Sequence, residues 1–133
     1  MHDHGREFRR GRRRGRGGDH SLLATRLLEP ALLVFLSKNP EHGYTLLEKA
    51  EGIGLGAQHP SVVYRVLREM EEAGWVSSVW EDEQSQGPPR RVYSLTGDGL
   101  AALRAWKTHL EQSRDVILRL IEQIQPNDTQ VSK

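Results

Sequence analysis

Apolar residues concentrate first between Leu22 and Leu36. Their density predicts a core helix from about Glu29 to Lys38, with Pro30 in its first turn and Asn39-Pro40 ending it. Leu22 to Leu28 reads either as a short preceding helix or as an arm packed on a partner. Thr45 to Glu51 follows as a short helix with Leu46, Leu47 and Ala50 facing inward. The glycines at 52, 54 and 56 then mark a loop. Ser61 to Ala73 has a helical period, closed by Gly74. Val63, Leu67 and Met70, with Val66 beside them, form its apolar face, and Ser61, Tyr64, Arg65 and Arg68 form one polar stripe opposite.

Trp75 to Trp80 and Arg90 to Leu95 are β-branched and aromatic, so they predict two strands of a hairpin around an acidic, Gly-Pro-Pro loop. Thr96 is placed to cap a long helix, with Asp98 in its first turn and Pro126 stopping it after Gln125. Along this helix Leu103, Leu110, Ile117 and Ile124 recur at sevens, with Trp106 and Leu120 in a second register that Ser113 interrupts. So narrow a seam suits pairing with another helix, which predicts a homodimer.

The expected fold class is therefore mostly α with a small β-hairpin (α+β): a winged helix-turn-helix domain plus a long C-terminal dimerisation helix. The boundaries are a basic, unstructured arm at 1–20, the winged domain at 21–96, the dimerisation helix at 97–125 and a tail at 126–133. Composition supports the arm, since Gly, Arg and His cannot bury enough surface to offset ordering entropy. Residues 1–20 hold seven arginines against three acids, so the arm stands at +4 and the remainder of the chain at −3. Any polyanion binding by the body must therefore come from local clusters rather than net charge.

Several chemistries are disfavoured. The 133 residues include no cysteine, which excludes disulfides and cysteine-built zinc sites. Ala31 to Leu36 is the longest apolar run, far short of a membrane span. No secretory pattern follows the basic N-terminus, so a cytoplasmic protein is expected. No nucleophile, base and orienting group are grouped, so no enzyme is expected. No cofactor or metal is expected either. His42 precedes a helix, where histidine caps or packs, and His2, His4 and His20 suit at most opportunistic metal capture. The Gly52-x-Gly54-x-Gly56 string follows a helix rather than a strand and is no dinucleotide fingerprint.

Helix, short helix, loop, helix, hairpin and long helix, in that order, suit duplex DNA: an exposed helix face enters the major groove while a wing reaches the neighbouring backbone. The candidate DNA-binding residues are Gln58, His59, Ser61, Tyr64, Arg65 and Arg68, with Arg90 and Arg91 on the wing. Of the two helix arginines, Arg65 is the better candidate. Tyr64 also has a purely structural reading, with its ring packed under the hairpin, and Arg65 and Arg68 have a reading as surface ion pairs with Glu69, Glu71 or Glu72.

The chain resembles the PadR-type transcriptional regulators from about Leu27 to Leu110. The resemblance rests on the apolar first helix and His42-Gly43-Tyr44, then Ser61-Val62-Val63-Tyr64 with Leu67. It continues through Glu71-Glu72-Ala73-Gly74-Trp75-Val76, Gly87-Pro88-Pro89-Arg90-Arg91-Val92-Tyr93, Ser94-Leu95-Thr96 and Gly99. It implies a winged-helix repressor, dimerised through its C-terminal helix, bound to a pseudo-palindromic operator and released by a small molecule. One C-terminal helix points to the short-tailed branch. Trp106 then has a second role, stacking on a small aromatic or apolar effector. The alternative function is general DNA or RNA binding driven by the arm.

Overall fold

The computed structural model describes residues 15–55, 59–81 and 90–124, with the backbone alone at 15–22 and 24. Seven elements follow in order: α1 (Gly15–Lys38), β1 (Glu41–His42), α2 (Gly43–Gly52), α3 (Pro60–Glu72), β2 (Val76–Glu81), β3 (Arg90–Leu95) and α4 (Gly97–Gln123). The strands form one antiparallel sheet in the order β1-β3-β2, so the expected hairpin gains a third strand. Its register sets His42 opposite Val92, and Val92 in turn opposite Val79.

One core joins these elements. Leu28, Leu32, Leu33 and Leu36 of α1 meet Leu46 and Ala50 of α2, Val63, Leu67 and Met70 of α3, and Val76 and Tyr93 of the sheet. Burying side chains of this size contributes roughly 1.5–3 kcal/mol each, which is enough to fix the angle between α3 and its neighbours.

The first helix departs from the sequence reading. Rather than beginning near Glu29 it is continuous from Gly15, so six residues assigned to the arm are helical and Pro30 sits inside the helix. Once the apolar half is nucleated by packing, each further residue adds a backbone hydrogen bond at little extra entropy. Pro30 removes one such bond, a loss of about 3 kcal/mol in an exposed helix. Here Pro30 is buried, and burial of its apolar ring offsets part of that loss. Residues 1–14, the acidic loop at 82–89 and the tail from 125 lie outside the described residues.

Helix ends follow local chemistry. Gly74 takes φ +85° after α3, a left-handed conformation that side chains resist. It lets the Trp75 N–H reach back to the Met70 carbonyl at 2.9 Å. Thr96 caps α4 as expected: its Oγ1 accepts from the Gly99 N–H at 3.0 Å and donates to the Gly74 carbonyl at 2.6 Å. Thr96→Ala should lower unfolding free energy by about 1–2 kcal/mol, read as a lower urea midpoint at unchanged slope. An unchanged midpoint would mean that water replaces both bonds without loss.

Candidate nucleic-acid interface

The amphipathic pattern of α3 puts Val63, Val66, Leu67 and Met70 in the core and leaves Ser61, Tyr64, Arg65 and Arg68 exposed. Pro60 occupies the first turn, and His59 is the N-cap. The His59 Nδ1 accepts the Ser61 N–H at 3.1 Å and lies 2.9 Å from the Ser61 Oγ. In this state the His59 ring proton sits on Nε2, facing away from the helix end. Gln58 lies outside the described residues.

Two clefts run between α3 and the wing. The first, of about 220 Å³, lies over the start of α2 and is lined by Gly43, Tyr44, Thr45, Tyr64, Arg90 and Arg91, with His42 and Tyr93. The second, of about 300 Å³, lies between α3 and the hairpin and is lined by Tyr64, Arg68, Glu71, Trp80, Arg91 and Tyr93. They share Tyr64, Arg91 and Tyr93, so together they border the exposed stripe of α3.

Tyr64 is 38% exposed, and its ring lies against Gly43. A methyl group on Gly43 would come within 2.6 Å of Tyr64 Cε1. The ring thus packs on the first turn of α2, while the residue also lines both clefts. Tyr93 is buried beneath. Burial pushes its hydroxyl above the ordinary phenol range, partly offset by the neighbouring Arg91 guanidinium. It is therefore a neutral group at physiological pH.

The arginines divide. Arg68, Arg90 and Arg91 line the clefts, whereas Arg65 lies outside them, in an exposed ion pair with Glu69 at 3.2 Å. Such a pair is worth well under about 1 kcal/mol, so it gives way readily to a phosphate. Of the two helix arginines, the geometry brings Arg68 rather than Arg65 beside the wing. Glu71 is the acid among them, and its Oε2 accepts from the Ser78 Oγ at 2.9 Å. Arg91 lies over the Trp80 ring, 4.8 Å from its centroid.

His42 is the N-cap residue of α2, but its side chain makes no capping hydrogen bond. Its Nε2 lies 2.6 Å from Glu81 Oε1 and ties β1 across β3 to β2. The carboxylate it meets is thus supplied by the fold, from 39 residues away, rather than by the adjacent Glu41. No group of three or more acids, histidines or cysteines able to hold a metal occurs among the described residues. No helix there is long and apolar enough to cross a membrane.

The heptad seam of α4 is split. Leu103 and Trp106 pack against the chain's own core, and the Trp106 Nε1 donates to Glu29 Oε2 of α1 at 2.9 Å. Leu110 is half-buried and lines an apolar groove of about 580 Å³ with Val34 and Leu103, rimmed by Arg104, Lys107 and Arg114. Trp106 is not among the residues lining that groove. Beyond Ser113 the helix is bare: Ile117 is 46%, Leu120 59% and Ile124 63% exposed, with Val116, Leu118 and Ile121 beside them.

Of the other cleft residues, Tyr44 stands in the sequence only as part of a motif, Thr45 only as a helix start and Glu71 only as an ion-pair partner. Trp80 was legible as a strand residue only, because an eight-residue loop leaves hairpin register open.

Comparison with known proteins gives a consistent picture. The sequence pattern of the family described as "Transcriptional regulator PadR-like family" matches residues 32–105. Among solved structures, a protein of Streptococcus mutans UA159 superposes with a TM-score of 0.65 at 26% identity, covering 77% of this chain and 92% of its own. A PadR-like transcriptional regulator of Bacillus cereus superposes at 0.63 with 24% identity, over 74% of this chain and 94% of its own. A PadR family transcriptional regulator of Eggerthella lenta gives 0.63 with 23% identity, over 83% and 98%. No curated protein sequence matches.

Proposed function

Because this chain belongs to the PadR-like family of transcriptional regulators, which bind DNA, we propose that it is a homodimeric, sequence-specific repressor released by a small apolar effector. The observation that carries the DNA-binding part is the pair of clefts, where Arg68, Arg90 and Arg91 flank the exposed stripe of α3. In this reading the stripe meets base edges, while Arg90 and Arg91 hold phosphates and set the register. Arg65 exchanges Glu69 for the duplex, and His59 and Ser61, engaged at the helix cap, present their remaining donors to it. Gln58 is placed by sequence alone in the same role.

The dimer part is supported by the bare end of α4. Apolar stripes of this kind are stable in water only when covered, and a second copy of the same helix covers both. A two-fold dimer then reads half-sites about one helical turn apart, roughly 34–36 Å. Repression needs only occupancy of a promoter site.

The effector part is supported by the apolar groove between α1 and α4, whose volume suits a drug-sized molecule. Trp106, hydrogen-bonded to Glu29 outside that lining, supports the wall between the helices rather than stacking on the ligand.

The test is a titration of a labelled fragment from the gene's own upstream region, with scrambled competitor, at two salt concentrations. Competitor-resistant binding is expected. Replacing both Arg90 and Arg91 by alanine should weaken it by about 10- to 100-fold and make its salt dependence shallower by about one to two ions. Equal, salt-labile binding to both duplexes would overturn sequence-specific regulation in favour of general polyanion binding by the basic arm.

A further inference from the structure

We propose that Trp80 is a positioning residue for DNA binding: its ring holds Arg91 extended into the cleft beside Tyr64 and Arg68, ready for a phosphate. This rests on the reading above that the wing arginines meet the duplex. Three observations carry it. Trp80 and Arg91 face each other directly in the hairpin register, so their side chains emerge on one face of the sheet. The guanidinium lies over the indole at 4.8 Å from its centroid, within cation–π range. Trp80 nevertheless remains 59% exposed and is no part of the core, so it has no packing role that would account for so large an apolar group there.

The chemistry suits phosphate capture. A guanidinium over an aromatic ring is held through its flat face, so its in-plane N–H donors stay available: Arg91 donates to the Tyr93 hydroxyl and keeps its other donors for phosphate oxygens. Without the ring, Arg91 is a long, rotamer-rich side chain whose ordering must be supplied at the moment of binding. The ring also concentrates positive charge on the side of the sheet where Arg68 lies. Glu71, the acid lining the same cleft, is engaged by Ser78 rather than by Arg91.

The experiment is a double-mutant cycle on the full chain, using the labelled upstream duplex as probe. Trp80→Leu, which keeps bulk but removes the ring face, should weaken binding about two- to five-fold. Trp80→Tyr should restore most of that loss. In an Arg91→Ala background, Trp80→Leu should cause no further loss. Melting curves for every variant establish that the fold is intact, which the exposure of Trp80 favours. Equal losses from Trp80→Leu with and without Arg91 would overturn the proposal, as the indole would then act on DNA by itself. Equal losses from Tyr and Leu would overturn it too. Failure of the wild-type chain to prefer its upstream duplex would instead defeat the regulator reading, so the two failures are distinguishable.

Discussion

Gly99→Ala should lower the melting temperature by about 10 °C, the largest stability effect expected of a methyl group added at any described glycine. Gly99 is buried in the first turn of α4. A Cβ there would be driven into the Trp75 carbonyl oxygen and would lie 2.6 Å from Leu95 Cδ1 and 3.0 Å from the Trp75 carbonyl carbon. The obstruction is backbone, so no rotamer change relieves it. That same carbonyl accepts the Thr96 N–H at 3.0 Å, so moving it also breaks the junction between β3 and α4. Alanine is a better helix former than glycine, yet steric overlap at this site outweighs propensity. A thermal melt that matched wild type would mean α4 can shift outward without loss, and that its root is not fixed by this contact.

The second large effect concerns assembly. Replacing both Ile117 and Leu120 by glutamate should convert the protein to a monomer by sedimentation and lower affinity for its upstream duplex by about 100-fold or more. Both residues are exposed in the single chain, so the winged domain should keep its helix content and melt independently. Two linked half-site contacts give way to one, which removes the gain from effective concentration. A variant that remained dimeric would show that another face makes the contact. A monomer that still bound tightly would show that one winged domain suffices.

Some elements are legible because local chemistry decides them. The α3 helix falls within a residue of its expected span, since its apolar face, Pro60 and Gly74 all act locally. The β3 strand and the Thr96 cap are likewise read from neighbouring residues. The remainder depends on contacts that no local pattern encodes. β1 has two residues and exists only because β3 lies alongside. The start of α1 depends on propagation from a packed segment, whereas its Gly and Arg content argued against order. The register of Leu103, Leu110, Ile117 and Ile124 is unbroken in sequence, but the chain folds Leu103 and Trp106 onto its own core and leaves the distal part of the helix uncovered. At the interface, Arg90 and Arg91 were visible as a basic pair, but the partner of Arg91 requires the hairpin register. Which side of α3 the wing lies beside, and so that Arg68 rather than Arg65 lines the cleft, also depends on the tertiary fold.

The root of α4 has a mechanical consequence. A helix of 27 residues is about 40 Å long, so each degree of tilt at its base sweeps its far end through about 0.7 Å. That base is seated on the carbonyl of Trp75, at the end of the wing's own sheet. In the proposed dimer the helix is thus a lever with its fulcrum at the wing. Small molecules that wedge α4 away from α1 by a few degrees would change the separation of the two wings by ångströms, enough to take both out of step with the helical repeat of DNA.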